Sequence, residues 1–262
     1  MPQASVQGKT YHYILNNAGG SHQPTAVFVH GAGGDHTVWL AQFEALRAAG
    51  FDAVALDLPG HGRSGGEGDP SIEAFAHGLL SLIHDLKITR PVLVGHSMGG
   101  AIVMTATLIA PSLLDGLVLV GTGARLRVTQ EFLDGLQTNF HEAVRAICRR
   151  AFSERAAAEL IEHGIQSMSR TSPRVVVGDF QVCNEFDIRE RLSTLTLPTL
   201  ILCGSEDQMT FPKYSEYLHD RISGSILRLV AGAGHMVMLE EPEQVSQALL
   251  EFFKSRAGFS SS

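Results

Sequence analysis

The sequence predicts an α/β protein with a mostly parallel central sheet flanked by helices. Two patterns point there. The apolar runs "TAVFVHG", "PVLVGH" and "PTLILCG" are short and continuous, without the polar alternation of a half-solvated strand, so they read as strands buried on both faces. Segments with helical spacing lie between them, the order that a parallel sheet requires. The chain has 262 residues, 44% hydrophobic and 18% charged. It is globular and long enough for one large core.

The elements follow in order. "TYHYIL" alternates like an edge strand, and "NNAGGSHQP" is a turn. "TAVFVHG" is the first buried strand. Residues 36–49 read as a helix closed by Gly50. "FDAVALDLPGHG" is a second buried strand running into a loop. Residues 71–87 form a helix capped by Ser71 after Pro70. "PVLVGH", a helix over about 98–110 and "LDGLVLVG" come next. Much later come "PTLILCG", "SILRLV" and a last helix from Pro242 to about Arg256.

One stretch breaks the alternation. From Gly121 to about Thr196 no strand pattern occurs, and "TQEFLDGLQTNFHEAVRAICRRAFSERAAAELIEHGIQSMS" reads as consecutive helices. The alternatives are a bundle that only stabilises and a cap over the sheet. The cap is preferred, because the insertion follows the carboxyl end of a strand, where open α/β sheets place ligands. Residues 1–122 and 196–262 are then the core and 123–195 the cap.

Composition narrows the function. The formal net charge is −7 and no basic run occurs, which argues against a nucleic-acid surface. Cys148, Cys183 and Cys203 are scattered, odd in number and without metal-ligand spacing. No apolar run approaches the roughly 20 residues of a membrane span. The first fifteen residues lack the regions of a signal peptide, so a cytoplasmic location is expected. The final "SSS" carries no weight.

The chemistry centres on "PVLVGHSMGG", residues 91–100. Gly95-His96-Ser97-Met98-Gly99 fits G-x-S-x-G between a strand and a helix. So abrupt a turn strains the serine, and glycines leave room where strand and helix crowd. The hydroxyl then stands at a helix N-terminus, where unsatisfied N–H groups favour developing negative charge. A serine nucleophile needs a base. Among 12 histidines, His235 in "AGAGHMVMLEEPE" follows a strand and comes late in the chain, as the order Ser, acid, His requires. His96 is read as a wall of the site. The acid that orients the base is Asp207 in "SEDQMT", with Glu206 the alternative. "HGAGG" after the first buried strand supplies the oxyanion donors: the Ala32 N–H pairs with that of Met98. Gly33 lies beside them.

These motifs, "HGAGG", "DLPGHGRS", "GHSMGG", "GSEDQ" and "GAGHMVMLEEPE", in this order, resemble the α/β-hydrolase superfamily over nearly the whole chain outside the cap. The resemblance implies that fold with an inserted helical cap, and a Ser97–Asp207–His235 triad needing neither metal nor organic cofactor. The "DLPGHGRS" loop is structural, and Ser64 is not a second nucleophile. A haloalkane dehalogenase would carry aspartate at position 97. Relatives that cleave carbon–carbon bonds often carry tryptophan after the histidine, where this chain has Met236. The expected activity is a carboxylesterase acting on small or medium acyl esters. An enol-lactonase or carbon–carbon bond hydrolase is the alternative, and a non-catalytic ligand receptor the alternative of another class. The expected partner is a small-molecule ester; oligomeric state is left open. Phe132 and Phe140, with Val144, are expected to line an acyl pocket. Arg125 either meets a substrate carboxylate there or is solvated.

Overall fold

The computed structural model describes residues 2–17 and 24–257. The turn expected over 16–24 lies largely outside them, and so does the end of the chain, 258–262. Strands β1 (Gln3–Val6) and β2 (Lys9–Asn16) form an antiparallel hairpin. Then come β3 (Ala26–Val29), α1 (Leu40–Ala48), β4 (Ala53–Leu56), α2 (Ile72–Asp85), β5 (Val92–His96), α3 (Met98–Ile109) and β6 (Gly116–Val120). Four helices follow: α4 (Gln130–Thr138), α5 (Phe140–Ala151), α6 (Ala158–Arg170) and α7 (Pro173–Glu185). The chain closes with β7 (Thr199–Gly204), α8 (Pro212–Arg221), β8 (Ile226–Val230), α9 (Val237–Glu240) and α10 (Pro242–Ala257).

The sheet order is β1-β2-β4-β3-β5-β6-β7-β8. β4, β3, β5, β6, β7 and β8 run parallel, and β2 joins β4 antiparallel. "TYHYIL" therefore lies one strand inside the edge it was expected to form. The edge is β1, whose "QASV" is too polar and short to read as a strand. A tight turn at Gln7 and Gly8, φ 51° and 79°, makes the hairpin; positive φ at both central residues suits the strand twist. The first expected helix also divides. Asp35 caps a 3-10 turn over His36–Trp39 by accepting the Thr37 N–H, and α1 continues from it.

Side chains alternate across the sheet. Leu93, Leu117 and Leu119 pack with α2 and α3 on one face. Val92, Val94, Val118 and Val120 pack with Phe28, Trp39 and α10 on the other. The inserted helices have a smaller cluster of their own, built on Leu136, Val144, Ile147, Val176 and Phe180, with Ala32 and Met209 of the core against it. Because β3 and β5 to β8 run parallel, the loops after them open on one edge of the sheet. No helix among the described residues is long and apolar enough to cross a membrane.

Candidate active site

Ser97 lies between β5 and α3 with φ 52° and ψ −117°. That conformation costs a non-glycine residue about 1–3 kcal/mol. A Cβ on Gly95 would collide with the Gly99 carbonyl, and one on Gly99 with the Val29 carbonyl. The turn is held from below: Ser97 donates its N–H to the Val120 carbonyl at 3.0 Å, and Thr122 Oγ1 donates to the Ser97 carbonyl at 2.8 Å.

His235 follows β8, and Asp207 follows β7. His235 Nδ1 lies 2.9 Å from Asp207 Oδ2. A carboxylate only accepts, so Nδ1 carries a proton. The other Asp207 oxygen accepts the N–H groups of Met209 and Thr210, each at 2.8 Å. Thr210 Oγ1 donates to Oδ2 at 2.8 Å and lies 3.1 Å from His235 Nδ1. Burial pushes the Asp207 carboxyl up, but the charge and hydrogen bond of His235 and the Thr210 donors outweigh it and hold it below the ordinary range. Gly121 lies beneath the pair; a Cβ there would come within 3.2 Å of His235 Nδ1. Glu206, the alternative acid, is 3.7 Å from Arg155 instead.

Ser97, His235 and Thr210 line one cavity of about 130 Å³. Ala32, Gly33 and His96 line it too. Met98 is fully buried at the first position of α3. His96 Nε2 donates to the His235 carbonyl at 3.1 Å. Burial, with His235 as neighbour, depresses the His96 imidazole well below its usual value and keeps it neutral. Trp39 stands edge-on beside it, 6.5 Å between ring centroids.

The insertion supplies much of the wall, including Ile147, Phe152, Met168 and Phe180. Phe132 and Phe140 are not in that wall. They pack against the insertion's own cluster, and Val144 is buried within it. Apolar spacing marks a buried face without saying which surface buries it. Arg125 and Arg127 also line the cavity, and Arg125 lies 3.6 Å from Asp187. Cys148 and Cys183 also line it, and burial raises both thiols, Cys148 to about 12.

Sequence reasoning missed Thr210 and Asp179. The signal for Thr210 is its place three residues after Asp207, a spacing at which a side-chain carboxylate reaches a local N–H. The signal for Asp179 is a carboxylate on the apolar stripe of α7.

Away from the cavity, His12, His36 and Asp57 bring three potential metal-ligand atoms within 4.8 Å of one another. Hydrogen bonds already close that set: His12 Nδ1 and His36 Nδ1 donate to Asp57 at 2.9 and 2.7 Å, and the His36 and Arg63 N–H groups fill its remaining sites. Ser64 Oγ donates to the Asp57 carbonyl at 2.7 Å, bracing the same loop.

Comparison with known proteins agrees with this architecture. The chain is 25% identical over 256 residues to 3-oxoadipate enol-lactonase 1 of Acinetobacter baylyi, covering 95% of each. It is 24% identical to the karrikin insensitive 2 receptor IA of Petunia hybrida, covering 88% of this chain and 90% of that one. A solved thermophilic esterase superposes with a TM-score of 0.85 at 33% identity, covering 97% of both chains. Residues 26–248 match the model of the alpha/beta hydrolase family. The chain belongs to that family.

Proposed function

We propose that the protein is a serine hydrolase that cleaves carboxylic esters of small or medium acyl groups through an acyl-enzyme. One observation carries the reading: Ser97, strained at the N-terminus of α3, opens on the same cavity as His235, whose Nδ1–H is fixed by Asp207. Ser97 Oγ attacks the acyl carbon while His235 Nε2 takes its proton. The N–H groups of Ala32 and Met98 receive the oxyanion, and Asp207 stabilises the imidazolium. His235 then protonates the leaving alcohol. Water, deprotonated by His235, releases the acid and frees Ser97.

The insertion acts as a cap that sets acyl size. A cavity of about 130 Å³ is close to one that holds benzene, which favours acyl groups of up to about six carbons. A second reading, lactone hydrolysis, has a specific support: Arg125 and Arg127 in the cavity lining suit a ring ester bearing an anionic group.

The test is labelling by a fluorophosphonate probe together with turnover of p-nitrophenyl esters of rising chain length and of a lactone. Wild type should label and turn over, and Ser97→Ala should do neither. Labelling that persists in Ser97→Ala would place the nucleophile elsewhere. A wild type that binds these compounds without turnover would favour the receptor reading.

A further inference from the structure

Helix α7 buries Val175, Val176, Asp179, Phe180, Val182 and Cys183 along one stripe. A carboxylate there loses its water, and an apolar residue would pack at less cost. Asp179 is nonetheless buried to 2% exposure and reaches out of the insertion into the core. Its Oδ2 accepts the N–H of Gly33 at 2.9 Å and lies 2.7 Å from His61 Nε2.

The protons on His61 follow from its partners. Nε2 faces the Asp179 carboxylate, and Nδ1 faces the Pro59 carbonyl at 3.0 Å. Both partners only accept, so both ring nitrogens donate and the ring is an imidazolium. Burial opposes that charge, but the Asp179 charge and the two hydrogen bonds outweigh it and raise the pKa. His30, 5.0 Å away between ring centroids, is the opposite case. Its Nε2 accepts the Leu58 N–H at 3.0 Å and its Nδ1 donates to the Gly31 carbonyl at 2.8 Å. It is neutral, and burial, with His61 beside it, pushes it down to about 4.

The loop over 31–35 is thus gripped on both sides of Ala32. His30 holds the Gly31 carbonyl and Asp179 holds the Gly33 N–H, while Ala32 lines the cavity between them. More of the insertion reaches the same loop. Ser167 Oγ donates to Asp35 Oδ2 at 3.2 Å, and Met168 fills the space where a Gly33 Cβ would stand.

We propose that Asp179 is a positioning residue: anchored by the His61 imidazolium, it holds the Gly33 N–H from the insertion and so aims the neighbouring Ala32 N–H at the oxyanion. The inserted helices are then part of the frame of the oxyanion hole as well as the wall of the pocket. This rests on the serine-hydrolase reading above.

The test compares wild type, Asp179→Leu and Asp179→Asn. A fluorophosphonate titration run to completion counts competent sites, so partial unfolding cannot imitate a catalytic loss. The readouts are kcat per titrated site and KM for a short-chain p-nitrophenyl ester, and the affinity of an alkyl trifluoromethyl ketone, whose serine adduct carries an oxyanion. Asp179→Leu should lower kcat roughly 10- to 100-fold, weaken the ketone in parallel and leave KM within about threefold. Asp179→Asn keeps an oxygen for the Gly33 N–H and should recover most of this, losing about three- to tenfold. A titrated kcat for Asp179→Leu within threefold of wild type, or a loss confined to KM, overturns the assignment. If Asp179→Leu yields no titratable sites, Asp179→Asn decides: parallel losses in kcat and ketone affinity support it, and wild-type values overturn it. A wild type that neither titrates nor turns over esters would overturn the serine-hydrolase reading itself, and this assignment with it.

Discussion

Two buried carboxylates in this molecule have nearly the same surroundings. Asp207 accepts the N–H groups of Met209 and Thr210, the Thr210 hydroxyl and His235 Nδ1. Asp57 accepts the N–H groups of His36 and Arg63 and the Nδ1 atoms of both His12 and His36. In both cases burial raises the carboxyl and its donors more than reverse that, leaving it below the ordinary range. The difference lies at the far side of the histidine. His235 opens on the cavity that Ser97 lines, whereas His12 Nε2 is buried without a hydrogen-bond partner among the described residues. An Asp–His pair is therefore a common structural device. What the second ring nitrogen faces separates a candidate base from a brace.

The largest expected effect tests that contrast. Asp207→Asn should lower kcat per titrated site by about 10⁴ with the fold intact, because the imidazole loses the partner that fixes its tautomer. Asp57→Asn should leave titrated kcat within about threefold, since nothing it orients reaches the cavity. Equal losses in the two variants would erase the distinction.

Stability should show the reverse emphasis. An amide at position 57 cannot accept from all four donors, so Asp57→Asn should cost about 3 kcal/mol in denaturant unfolding. Wild-type stability would mean the cluster braces nothing.

A smaller effect concerns the cavity wall. Phe180→Ala and Met168→Ala should shift kcat/KM toward longer acyl chains by about tenfold across an ester panel. Phe132→Ala, away from the cavity, should lower stability and leave the profile unchanged. A profile shift in Phe132→Ala alone would return that ring to the pocket.

The smallest effect is the pH dependence of unfolding. His36 and His61 have folded pKa values raised above 6.5. Their contribution is complete below 6.5 and is lost as pH rises through the folded values. His30 and His96 are depressed below 6.5, so stability also falls as pH drops under that value and the unfolded chain takes up protons that the folded one refuses. The Tm should therefore peak near 6.5. Replacing His61 by Gln should flatten the alkaline limb, by about 2–4 °C per kcal/mol of linked stability. A monotonic Tm from pH 5 to 9 would contradict these assignments.

Much of the architecture was legible because it rests on local patterns. Continuous apolar runs marked the parallel strands, and the close packing of Gly95 and Gly99 left a trace that needs no partner elsewhere in the chain. Ser97, Asp207 and His235 each fall after a strand of one sheet edge, so their order along the chain already placed them on the same side. What stayed hidden depends on tertiary choice. β1 is stabilised by pairing with β2 and by its turn, not by its own apolarity. Phe132 and Phe140 sit at the spacing of a buried face, but helix packing decided that they pack against the insertion's own cluster. Asp179 carries its meaning only through Gly33, 146 residues away, and no window along the sequence contains both.

Trp39 gives the molecule a built-in optical reporter. It is the single tryptophan of the chain and is fully buried, and its indole N–H has no hydrogen-bond partner among the described residues. Excited at wavelengths that the four tyrosines do not absorb, it is the one emitter, so the signal comes from one place. That place is edge-on to His96, whose imidazole lies tilted against that of His235, 4.6 Å between ring centroids. Tryptophan-selective fluorescence from the unmodified protein thus reads the surroundings of the cavity floor with no label to attach.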